Sequence, residues 1–128
     1  MSLDVRPELL AQAERGAVDD AAFVECVRAS LPYAWEVISR LAAELGDREL
    51  ADNQVPPPDE QARGQLLRAL ASDAIRGSLE RHFEVRLAFQ NCHRVAVFPA
   101  GAMGQQARKR FTSPRSQLLN QSPELRDC

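Results

Sequence analysis

Three consecutive prolines, Pro56, Pro57 and Pro58, constrain this chain more than any other feature. Such a run favours an extended polyproline conformation with no internal hydrogen bonds, so no regular element passes through it. "VPPPDE" lacks PxxP spacing and stands directly before a helical pattern, which makes it a stiff arm delivering Asp59 as a helix cap rather than a ligand. The chain therefore divides into N-terminal helices (1–46), an acidic and proline-rich connector (47–58), a long helix with a hairpin (59–98), and a basic linker with C-terminal helices (99–128). These are parts of one domain spanning 1–128. A chain of 128 residues buries roughly two-thirds of its unfolded surface, enough for one core without staples.

Before the prolines the pattern is helical. Pro7 opens a short helix that Gly16 closes, and Asp19 or Asp20 caps a second one through Phe23, Val24 and Val27. Pro32 then starts a third. Its apolar residues, Tyr33, Trp35, Val37, Ile38, Leu41, Ala42 and Leu45, are too many for one stripe, so this helix is buried on most of its girth or faces a second subunit. After the prolines, residues 60 to 83 read as one long helix, with Gly64 and Gly77 admitting a close neighbour or marking a bend near 77. His82 falls in its last turn, where the helix dipole favours a cation.

The stretch "EVRLAFQNCHRVAVFP" places Val85, Leu87, Phe89, Val95 and Val97 at odd positions, and strands put alternate residues on one face. Two antiparallel strands keep that parity only across a loop of odd length. Gln90-Asn91-Cys92 is the expected loop, with Phe89 opposite His93, Leu87 opposite Val95 and Val85 opposite Val97. Cys92 and His93 would then point to opposite faces, which works against a thiolate pair. A dyad of Cys92 with His82 lacks an orienting group, and Cys92, His93 and His82 match no metal-ligand spacing, so neither cofactor nor metal is expected.

Cysteines at 26, 92 and 128 show no CxxC spacing and read as free thiols in a reducing compartment. With no apolar run near the roughly 18 residues of a membrane span and no signal-peptide pattern at the start, the expected location is cytoplasmic, away from membranes. Charge is split along the chain: residues 1–60 hold thirteen acidic and five basic side chains, net −8, and 61–128 hold five and eleven, net +6. Either the halves pack together or each meets a different partner. The densest positive patch is Arg108, Lys109, Arg110 and Arg115 around Phe111, a composition suited to phosphate contact and base stacking. Thr112 or Ser113 beside it could carry a phosphate. Ser113-Pro114 and Ser122-Pro123 each set a capping hydroxyl before a first-turn proline, and Leu118, Leu119 and Leu125 give short helices something to bury.

The blocks "SLPYAWEVI", "DNQVPPPDEQARGQLLRALASDAIRG", "LAFQNCHRVAVFP" and "SQLLNQSPELRDC" together resemble a family of small conserved proteins from filamentous, GC-rich bacteria without an established activity. Fifteen arginines against the single Lys109 fit a GC-rich coding habit. The resemblance implies a setting in regulation or development and no catalytic residue; it leaves out residues 100 to 110.

These readings predict a mainly helical α+β fold: three N-terminal helices, a proline hinge, one long helix, a β-hairpin and short C-terminal helices. A lone hairpin needs a helix or a second copy to pack on, which points to a homodimer through helix 32–45, the long helix or a hairpin edge. The expected function is a non-enzymatic regulatory or protein-interaction module. It would bind another protein through an apolar groove, with Tyr33, Trp35, Phe83 and Phe89 as candidate contacts, and through its separated charge. The alternative is a nucleic-acid-binding regulator that uses Arg108, Lys109, Arg110 and Arg115. A thiol-dependent enzyme built on Cys92 is the outsider.

Overall fold

Helix boundaries follow the caps that the chain offers. In the computed structural model, which describes residues 2–121, α1 (Pro7–Glu14) begins on its proline, and α2 (Asp20–Ser30) begins where the Asp19 carboxylate accepts the Ala22 N–H at 3.0 Å. α3 (Pro32–Leu45) also begins on a proline and stops at Gly46, whose φ of +49° suits glycine. Its N-cap position holds Leu31, whose side chain has no acceptor. Gln65, 32 residues beyond Tyr33, supplies one: its buried Oε1 accepts the N–H groups of Tyr33 at 2.7 Å and Ala34 at 3.2 Å. A distant side chain thus satisfies first-turn donors that would otherwise be orphaned.

The expected long helix is two helices, α4 (Glu60–Ala71) and α5 (Asp73–Phe83). The break lies at Ser72 rather than near Gly77: its extended ψ of 118° interrupts the ladder and its hydroxyl caps the Ile75 N–H at 3.3 Å. Serine competes with the helix backbone in this way, and the apolar periodicity running through both pieces conceals it.

The sheet has three antiparallel strands in the order β1-β3-β2: β1 (Ala51–Asp52), β2 (Val85–Gln90) and β3 (Arg94–Pro99). β1 lies inside the stretch expected to be a connector, and Asn53 prolongs its pairing by donating to the Val95 carbonyl at 2.8 Å. The hairpin loop has three residues, but they are Asn91, Cys92 and His93, closed by Gln90 opposite Arg94. Phe89 therefore pairs with Val95, Leu87 with Val97 and Val85 with Pro99. The register is shifted by two residues from the expected one because the turn needs consecutive left-handed residues, which Asn91 and Cys92 provide at φ 55° and 49°. A shift of two leaves every side chain on its expected face.

Both faces of the sheet are covered. Val85, Leu87, Val95 and Val97 meet the core built by α2 to α5, while Ala88, Ala96 and Phe98 pack on Ala107 and Phe111 of α6 (Ala102–Phe111). α6 occupies the segment expected to be a flexible linker. α7 (Pro114–Leu119) follows, with the Ser113 hydroxyl capping the Ser116 N–H at 3.2 Å as its sequence predicts. The second serine-proline device, Ser122-Pro123, lies outside the described residues, as do Leu125 and Cys128. The fold is mainly helical α+β.

Gly104 lets α6 approach the end of β3. A β-carbon there would stand 1.6 Å from the Pro99 carbonyl oxygen, whereas one at Gly77 would meet only the tip of Arg81 at 3.4 Å. Two glycine-to-alanine substitutions in helices should consequently have opposite signs. Chemical denaturation is expected to show Gly104→Ala destabilising by about 1–3 kcal/mol or more and Gly77→Ala stabilising by about 0.5–1 kcal/mol.

Candidate interaction cleft

The short pairing of β1 with β3 brings the acidic connector against the basic end of the chain. Arg94 at the start of β3 donates through Nε to Asp52 Oδ2 at 2.9 Å, a largely buried ion pair reinforced by its Nη2. The Arg94 guanidinium also lies over the Phe111 ring, 5.6 Å from its centre, while Phe98 meets the same ring at 5.7 Å in a T-shaped arrangement. Phe111 is accordingly 6% exposed. Arg110, at the end of α6, pairs with Glu49. From the other side the Asn91 side chain bonds the Asn120 carbonyl and Gln117, fixing α7 to the hairpin loop.

Between β1, α6 and α7 these contacts leave an open cleft of about 860 Å³. Leu50, Ala107, Phe111 and Leu119 give it an apolar lining, and Lys109, Arg110 and Arg115 stand around it with Ser113 and Ser116. Four basic residues (Arg94, Lys109, Arg110, Arg115) against two acidic ones (Glu49, Asp52) leave an excess of two positive charges. On α7, Leu118 and Leu119 are 74% and 66% exposed.

The basic patch does not act as one unit. Arg108 turns away from the cleft and donates through Nε to the Leu87 carbonyl at 2.8 Å, while the Glu80 carboxylate accepts the Leu87 N–H at 2.9 Å. Both outward backbone groups of Leu87 are thus occupied, which closes part of the β2 edge to an added strand. Arg110 is held by Glu49, leaving Lys109 and Arg115 as the patch cations without an ion pair among the described residues. Thr112 and Ser113 donate their hydroxyls to the carbonyls of Arg108 and Arg110 respectively.

The four aromatic candidates lie outside this cleft and pack against the larger core cluster. Trp35 and Phe83 meet at 5.0 Å, with His82 against Trp35 at 5.1 Å and Arg28 over the indole. Tyr33 sits at the start of α3, where burial pushes its hydroxyl pKa up, and Phe89 packs on the core from the end of β2. All four are half-buried. Sequence reasoning missed Glu49, Leu50, Asp52 and Arg94, whose only signal was a brief acidic stretch and an arginine ending a loop.

Cys92 is disulfide-bonded, which overturns the expectation that it is a free thiol and removes the thiolate from which an enzyme built on it would start. Cys26 is free and half-buried. His93 is buried with its Nδ1 2.6 Å from the Asn91 carbonyl. Among the described residues no cluster of three or more histidine, cysteine, aspartate or glutamate side chains could hold a metal, and no helix is long and apolar enough to cross a membrane.

A family model described as NucS shadow ORF matches residues 1–128. The chain belongs to that family. None of the curated proteins and none of the solved structures matches the chain.

The long-range ion pairs, Asp20–Arg81, Asp52–Arg94 and Glu49–Arg110, all join the acidic first half to the basic second half. The hydrogen bond from Arg81 holds the Asp20 carboxyl below the usual carboxylate range. A lowered folded-state pKa contributes stability that is present above the unfolded pKa and fades as pH falls through the folded one. The stability difference between the protein and Asp20→Asn should hold steady from neutral pH to about pH 5 and vanish in stronger acid, as denaturant titrations at each pH will read. In the same assay Arg108→Ala should cost about 1.5–3 kcal/mol, the range for a hydrogen bond to a charged group, and Lys109→Ala within about 0.5 kcal/mol.

Proposed function

We propose that this protein is a non-enzymatic interaction module that binds another protein at the cleft between β1, α6 and α7. The carrying observation is the fate of the basic patch: its aromatic is buried and two of its cations are engaged within the chain, while two adjacent leucines stay exposed beside the cleft. Apolar surface rimmed by a few free charges suits a protein contact, in which the buried centre supplies affinity and the rim supplies orientation. Regulation in a GC-rich bacterium is the proposed setting; the arginine-for-lysine usage supports the GC-rich source, while the Cys92 disulfide weighs against a reducing compartment.

Nucleic-acid binding is the second reading. It has a net positive lining among the described residues, and some nucleic-acid-binding modules clamp nucleotides in a GXXG loop. The chain's only GXXG, Gly101 to Gly104, stands at the β3–α6 turn, where close packing on Pro99 accounts for Gly104. Phe111 is too buried to stack a base, and the two patch cations without an ion pair among the described residues would give a salt dependence of about two phosphate contacts, well short of the roughly 6–10 of a strong DNA binder.

A homodimer remains within the proposal, but support for it is thinner. α3 is covered by α2, α4, β1 and β3 of its own chain, and Leu87 at the β2 edge is capped by Glu80 and Arg108.

Affinity capture from the cells that make this protein is expected to retain a protein partner after nuclease treatment and to lose it with Leu119→Asp or with Lys109→Glu and Arg115→Glu combined. Capture that ignores those substitutions but disappears with nuclease would refute the reading.

A further inference from the structure

We infer that the occupant of the cleft is an acidic peptide segment that presents an apolar side chain. This rests on the protein-binding reading and narrows it by charge. Among the described residues the lining carries an excess of two positive charges, in a chain whose net charge is −2, so this local charge opposes the global one. Lys109 and Arg115 are its cations without an ion pair among the described residues, and they belong to consecutive helices, α6 and α7. Their charges therefore face a ligand lying between the two helices rather than a point anion on one of them.

The floor decides what must accompany the acidic groups. Leu50, Ala107 and Leu119 offer no hydrogen bonds, and Leu119 is 66% exposed. A purely polar ligand would leave that surface wet, whereas an aliphatic or aromatic side chain removes it from water. A cleft of about 860 Å³ falls within the size range of sites that enclose a drug-sized ligand, hence a few residues of peptide. Basic ligands are disfavoured because the two acidic residues of the lining, Glu49 and Asp52, are already neutralised by Arg110 and Arg94.

The test is selection of a random peptide display library on the full chain. Enriched peptides should mix aspartate or glutamate with leucine, isoleucine or phenylalanine. On the variant with both Lys109→Glu and Arg115→Glu the acidic bias should disappear, and a fluorescein-labelled winner should bind it on the order of tenfold more weakly. Leu119→Asn, which removes the apolar contact without adding charge, should weaken the same peptide with little dependence on salt. These positions are exposed, so circular dichroism and thermal melting are expected to show the variants folded. Enrichment of basic or uncharged peptides overturns the acidic occupant and leaves the protein-binding reading standing. No enriched peptide, or a salt-sensitive oligonucleotide complex lost in the double variant, overturns both.

Discussion

β3 is the strand on which everything else depends, because both its edges and both its faces are occupied. β1 and β2 flank it; Val95 and Val97 enter the core under the helices, and Ala96 and Phe98 enter the one under α6, each with no measurable exposure. A strand with no free side cannot be displaced without exposing two apolar layers, each worth about 25 cal/mol per Å² of apolar surface uncovered. It is also where the chain's distant parts meet, since β1 comes from before the prolines and α6 follows the strand directly. A hairpin alone would be marginal; the third strand and the second helical layer make it a platform.

Charge follows the same geometry. Among the described residues the acidic half and the basic half close on each other through three long-range ion pairs, and one of them, Asp52–Arg94, includes a residue of the shortest strand, β1. The two exposed pairs, Asp20–Arg81 and Glu49–Arg110, stabilise little, about 0–1 kcal/mol each. Their consequence is instead electrostatic: once Arg108 and Arg110 are engaged internally, what remains outward is a small, mixed surface of two cations and two leucines. The compositional asymmetry is therefore mostly a folding feature with a residue of binding potential.

Several elements were legible because short-range chemistry decides them. Proline and aspartate caps mark the starts of α1, α2, α3 and α4, Ser113-Pro114 marks α7, and the odd-numbered apolar series marks the core face of the hairpin. Ser72 was not legible as a break, since an unbroken apolar period runs across it. β1 was hidden because two residues carry no periodicity, and α6 because glycines and charges mask a helix whose buried face is only Gly104, Ala107 and Phe111. The cleft was half visible: Lys109, Arg110 and Arg115 were identified, while Glu49, Leu50, Asp52 and Arg94 lie 15 or more positions away in sequence.

The amino-acid sequence by itself determined the starts of the capped helices and the parity of the hairpin, which depend on neighbours within a few residues, and the opposite signs of the two halves, which is composition alone. Tertiary structure alone decided the register, the sharing of Gln65 as a cap for α3, and which arginines face inward. Those outcomes depend on side chains far apart in the chain competing for the same few buried donors and acceptors. Arg108 shows the difference most plainly: its charge invites a partner outside the molecule, but a carbonyl on β2 lies within its reach and takes it first.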